Sequence, residues 1–190
     1  VRAWPALLVP AALLPALIPA PVPPHPPPRP AAASDPLVPA VARTWPLAGR
    51  PTVLRGWSPP ATPYGPGHRG VDLAAAPGTA VRAVAAGRVT FAGRVAGRGV
   101  ISVELADTGT DPPLRTTYEP VRASVRKGDT VNPGTRVGTL EPSAAHCPDG
   151  CLHWGLRSGS AYLNPLSLLP PWLLGGAPPR LLPVLGVPLP

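Results

Sequence analysis

RVTFAGRVAGRGVISVEL, residues 88–105, is the stretch from which the fold is read. Val89, Thr90, Val95, Val100, Ile101 and Val103 recur through it, often alternating with small or polar residues. Such side chains fit a pleated, half-buried surface, and the glycines in the middle permit a reversal. The stretch predicts two strands, Arg88–Val95 and Gly99–Leu105. The pattern repeats on both sides. Residues 53–57, 70–75, 81–84, 114–119, 136–141 and 152–157 read as further strands. Turn chemistry separates them: Gly65-Pro66-Gly67, Pro77-Gly78, Asp111-Pro112-Pro113, Lys127-Gly128-Asp129 and Asn132-Pro133-Gly134. No run of ten residues reads as a helix. The expectation is an all-β, antiparallel domain of sandwich or barrel-like form.

Proline marks where that domain ends. The chain has 190 residues and 34 prolines, of which 13 lie in residues 1–44, 14 in 45–169 and 7 in 170–190. An interior proline costs a helix roughly 3 kcal/mol, so a helix bundle is excluded. In the middle the prolines sit mostly at turns; most of the flanks is too rich in them to be globular, and residues 170–190 either pack against the domain or form a loose tail. Residues 1–20 begin with Arg2, continue as AWPALLVPAALLPALIPA and close on Ile18-Pro19-Ala20. They read as a secretory signal peptide, with an uncleaved membrane tether as the alternative. Residues 21–44 read as a Pro/Ala-rich, extended, disordered linker, 45–169 as the domain, and 170–190 as a Pro/Leu-rich tail.

Charge and cysteine content narrow the setting. The net charge is +8, and Lys127 is the single lysine among 17 basic residues. A basic surface suits a polyanion, and GC-rich coding explains the same arginine count. No basic run alternates with aromatics, so no nucleic-acid partner is expected. Arg88, Arg94, Arg98, Arg115, Arg122, Arg126, Arg136 and Arg157 are read either as a groove for anionic wall polymer or as a solvated surface. Trp57 and Trp154 are read as a binding platform or as core. Cys147 and Cys151 enclose the turn Pro148-Asp149-Gly150. In an exported protein they are expected to form a disulfide; kept reduced, Cys151 would instead offer a thiolate to a metal.

One constellation carries chemistry. His68 and Asp72 stand in GHRGVDL, and His153 stands far along the chain in CLHWG. Two imidazoles and a carboxylate can hold zinc with one position left for water. The bland alternative is that each is a capping or core group, since His-x₃-Asp spacing is common.

The wider context resembles the lysostaphin/LytM-type zinc metallopeptidases. The likeness runs through GHRGVDLA (67–74), PGTAVRAVAAGRV (77–89), TTYEPV (116–121), VRKGDTVNPGTRVGTL (125–140) and CLHWGL (151–156). It implies an antiparallel β fold, the duplicated hybrid motif. It implies one Zn²⁺ ion held by His68, Asp72 and His153, and cleavage of peptide bonds in cell-wall peptidoglycan. Two positions depart from the family. Its strand motif is usually His-x-His, where this chain has Cys151 first; its Tyr-x-His pattern becomes Tyr118-Glu119-Pro120. Both usual helper histidines are therefore replaced, and such groups are typically worth about 10²–10⁴-fold in rate. His146 and Tyr64 are the candidate substitutes, each against a reading as an ordinary loop residue. Glu119 is expected on the face away from the site. The resulting expectation is an exported zinc metalloendopeptidase-like domain acting on peptidoglycan. The alternative is a catalytically degenerate member that binds peptidoglycan or regulates another cell-wall hydrolase.

Overall fold

The structure is a computed structural model that describes residues 38–62, 65–142, 147 and 149–175. The signal reading (1–20), most of the linker reading, residues 176–190, Tyr64 and His146 lie outside the described residues. Among the described residues there is no α-helix; one 3₁₀ turn, Pro165–Leu168, follows the last strand.

The strands are β1 (Val53–Arg55), β2 (Gly70–Ala74), β3 (Ala80–Arg82), β4 (Gly87–Val95), β5 (Arg98–Leu105) and β6 (Leu114–Glu119). They continue with β7 (Val121–Ala123), β8 (Thr130–Val131), β9 (Arg136–Leu140), β10 (Cys151–Ser158) and β11 (Ala161–Leu163). The large sheet runs β1-β2-β10-β6-β5-β4-β8, with β11 added to the end of β10 beyond β2. The small sheet is β3-β9-β7. Every strand pair is antiparallel. Each strand predicted from residue pattern is present; β7, β8 and β11, two or three residues long, carry too few side chains to show a period.

Both sheets contribute to one core. Val71, Ile101, Leu152 and Trp154 of the large sheet meet Val81, Val121, Val137 and Leu140 of the small one. Trp154 is wholly buried, its Nε1 donates to Thr116 Oγ1 at 2.8 Å, and its ring meets Trp45 edge-on. It is core, not a binding platform; Trp57 is partly buried against the same cluster. Within the stretch read as linker, Ala42 is buried and its N–H donates to the Leu168 carbonyl.

Because β6 and β10 alternate, one face of the large sheet is core and the other is open. Thr116, Tyr118, Leu152, Trp154 and Leu156 point inward. Thr117, Glu119, His153 and Arg157 line a hollow on the opposite face. A bulge in β4 between Val89 and Phe91 shifts the register, so Phe91 lies opposite Ser102 and turns to the open face. An extra residue flips every side chain after it, which is how a bulge re-aims a strand beside a site.

Candidate metal centre

β2 and β10 bring the three chemistry-bearing residues together. Asp72 lies directly across the ladder from His153. His68 precedes β2, and its backbone exchanges two hydrogen bonds with Ser58, at 2.7 and 3.1 Å. Positions 68, 70 and 72 share one face by strand alternation. The middle one is Gly70, and that choice is structural: a Cβ there would stand 2.7 Å from His153 Nε2 and 2.4 Å from the Trp154 carbonyl oxygen. The missing side chain is the space the His153 ring occupies.

The ligand atoms converge. His68 Nε2 lies 3.1 Å from Asp72 Oδ1 and 3.2 Å from His153 Nδ1, and Asp72 Oδ1 lies 2.8 Å from His153 Nδ1. Three atoms bound at 2.0–2.1 Å to one tetrahedral ion stand about 3.3 Å apart. The triangle is therefore slightly smaller than a zinc ligand set and of the right shape. His68 and Asp72 are buried, and His153 is the partly open member.

Proton accounting points the same way. His68 Nδ1 lies 2.7 Å from the Gly56 carbonyl oxygen, which can only accept, so Nδ1 carries the hydrogen. Neutral His68 then presents a lone pair at Nε2 toward a carboxylate oxygen. A metal ion among the three atoms would take that lone pair together with one from Asp72 and one from His153 Nδ1. The Gly56 carbonyl is also the kind of outer partner that fixes the tautomer and direction of a metal-binding imidazole.

The remaining predicted residues fall differently. Cys147 and Cys151 are joined by a disulfide beside the triad, and each has its sulfur within 4.8 Å of an Asp72 carboxylate oxygen. An oxidised sulfur neither takes up nor donates a proton, so Cys151 offers no acid–base help in this state. Pro120 is buried and lines a separate hollow with Leu140 and Glu141. Glu119 corrects the sequence expectation: it lies opposite His153 in the ladder and on the same open face. The expectation failed because it placed the family's helper position, residue 120, on the site face. The alternation is set instead by Tyr118, which is core. The arginines divide as well. Arg98, Arg115 and Arg157 line the hollow beside His153, joined by Arg69; Arg94 is paired with Glu141 at 2.7 Å, and Arg88 lies elsewhere.

Comparison with known proteins adds the family context. The sequence model of Peptidase family M23 matches residues 66–165, more than half of the chain. Uncharacterised proteins of Mycobacterium tuberculosis and Mycobacterium bovis are each 45% identical over 130 residues, covering 66% of this chain and 50% of theirs. The chain thus spans about half the length of those curated relatives. Among solved structures, the catalytic domain of the antimicrobial peptidase lysostaphin from Staphylococcus simulans has a TM-score of 0.52 at 23% identity. That match covers 65% of this chain and 92% of that domain. The catalytic domain of the prophage-encoded M23 protein EnpA from Enterococcus faecalis, in a mutant form, gives 0.53 at 24%, covering 66% and 95%. At such identities the likeness is one of fold.

Proposed function

Since the chain belongs to peptidase family M23, we propose that its β domain is a zinc metalloendopeptidase acting on the peptides of bacterial cell-wall peptidoglycan. The observation that carries the reading is the convergence of His68 Nε2, Asp72 Oδ1 and His153 Nδ1 within 3.2 Å of one another. The donor set fits zinc: two imidazoles and one carboxylate, with His153 partly open toward the groove. Zinc at such a site supplies a Lewis acid and an acidified water.

The chain's own residues do the rest. The Gly56 carbonyl and the Ser58 backbone hold His68 in place. Gly70 leaves room for the His153 ring. With Pro120 and disulfide-bonded Cys151 at the helper positions, Glu119 takes the proton-handling role. Among the described residues it supplies the one carboxylate lining the groove beside His153. Arg98 stands 3.9 Å from it. A carboxylate held near a peptide nitrogen and a water can take a proton from one and return it to the other. The reading also places the protein outside the cytoplasm, supported by the Cys147–Cys151 disulfide, with residues 1–20 as the signal.

A second reading rests on the same two substitutions. With Pro120 and an oxidised Cys151, the domain is a binding or regulatory module that keeps the metal and the groove without the rate. One experiment separates the two. The purified chain is assayed for zinc content and for release of new amino termini from peptidoglycan, with and without chelator. The enzyme reading expects chelator-sensitive cleavage, abolished in His153→Ala and lowered about 100-fold in Glu119→Gln with zinc content unchanged. Zinc bound without cleavage, with the chain still pelleting with the wall, overturns the enzyme reading in favour of the module. Absence of zinc overturns both mechanisms.

A further inference from the structure

We infer that the open-face groove beside His153 is a subsite for carboxylate groups, so that this chain selects acidic peptides over neutral ones such as glycine bridges. The inference rests on the peptidase reading for its context and on the groove's own chemistry for its content. The hollow has a volume of about 500 Å³ and includes His153 in its wall. Among the described residues, four guanidinium groups line it, from Arg69, Arg98, Arg115 and Arg157, against the single carboxylate of Glu119. Register explains the clustering. Arg157 and Arg115 are ladder partners on β10 and β6, one step of alternation along from Gly155 and Thr117, two from His153 and Glu119. Arg115 and Arg157 therefore lie on the same face as the candidate metal ligand, four residues, roughly 13 Å, along the strands from it.

Among the described residues, Arg115 and Arg157 are not spent on ion pairs of the protein: neither has a carboxylate within ion-pair distance, and the buried Nε of Arg157 has no acceptor. Arg98 reaches Glu119 only at 3.9 Å. The guanidiniums of Arg69 and Arg157 lie over the Tyr162 ring, at 5.5 and 4.9 Å from its centre. That stacking fixes their planes without neutralising them, and a fixed guanidinium is a preorganised fork for a carboxylate. Gly155 keeps the floor open between His153 and Arg157: a Cβ there would stand 2.5 Å from Thr117 Oγ1. A peptide laid along the face with its reacting bond near His153 would bring its flanking residues over the arginines. Neutral glycine would leave Arg115 and Arg157 without an anionic partner; a carboxylate-bearing residue would pair them.

The test compares one soluble stem peptide bearing free carboxylates with the same peptide carrying carboxamides. Affinity for the full chain is measured by calorimetry in chelator, where nothing is cleaved, and cleavage is measured with zinc. Tighter binding of the carboxylate form, by tenfold or more, is expected, with the preference falling as salt rises. Arg115→Gln and Arg157→Gln should each reduce the preference severalfold, and Arg88→Gln, outside the groove, should not. Thermal melts verify that the variants fold; Arg115→Gln carries the test if Arg157→Gln does not fold. Equal binding of the two peptides, no binding of either, or full displacement by an equimolar phosphodiester oligomer overturns the inference. Cleavage without carboxylate preference overturns it and leaves the peptidase reading standing. Preference without cleavage does the reverse.

Discussion

At the scale of single residues, the site depends as much on a missing side chain as on those present. His68, Asp72 and His153 supply the atoms, but Gly70 decides whether they meet, because the His153 ring lies where a Cβ would stand. Gly70→Ala must push His153 Nδ1 off the triangle, since the Trp154 carbonyl on the other side belongs to the β2–β10 ladder and cannot yield. Zinc affinity, measured by competition with a chelating dye, should fall about 10–100-fold, as it does when a residue that orients a ligand is changed. A purely structural effect would lower the melting temperature equally with and without zinc; a positioning effect removes the stabilisation that zinc confers. Unchanged affinity in a folded variant would show that the ring has another place to go. The three candidate ligand residues, which the fold brings together, could be picked out in the sequence because chemistry restricts their types. Glu119 could not, because the face a strand residue takes is fixed by its core neighbour, Tyr118, and not by the family position next door.

At the scale of elements, the β4–β5 hairpin shows what a pattern of residues can and cannot say. Its turn is Val95-Ala96-Gly97-Arg98, with Val95 and Arg98 paired and φ of 49° at Ala96 and 80° at Gly97. Positive φ at both central residues marks a type I′ turn, whose twist matches the strands and which favours Asn-Gly. Gly97 suits its place; Ala96 pays a left-handed penalty of roughly 1–2 kcal/mol. Ala96→Asn should therefore stabilise the domain by up to about 1 kcal/mol, read as a higher urea midpoint with an unchanged slope. A midpoint at or below that of the parent would show that the strain is relieved some other way. The hairpin and its strands were visible in 88–105 because β-branched residues and glycines carry local information. The bulge after Val89 was not, since one extra residue leaves no compositional trace, yet it sends Phe91 to the groove. Likewise β7, β8 and β11 exist because longer neighbours supply their hydrogen bonds.

At the scale of the whole molecule, two sheets share one core, and Tyr118 ties them. Its side chain leaves β6 of the large sheet, is fully buried, and its hydroxyl accepts from the Val84 N–H just past β3 of the small sheet. Burial disfavours the phenolate, and the phenol is pushed up to about 12 from an ordinary value of 10.0, against smaller opposing effects of its hydrogen bonds to Val84 and Thr116. The sign of the consequence follows from proton binding. Between pH 10 and about 12 the unfolded chain releases this proton while the folded chain keeps it, so the folded state binds more protons and stability falls as pH rises. The contribution is whole below pH 10 and is lost on the way to 12, amounting to about 3 kcal/mol. Tyr118→Phe should cost about 1 kcal/mol at neutral pH by leaving the Val84 N–H without its acceptor. It should also remove the part of the alkaline loss that comes from this phenol. Urea unfolding at pH 8, 10 and 11.5 would therefore give curves that converge and then cross, the parent being the more stable at pH 8 and Tyr118→Phe the more stable at pH 11.5. Curves that stay parallel would mean that the phenol between the sheets is reached by water and ionises without unfolding, so that the core does not close over it.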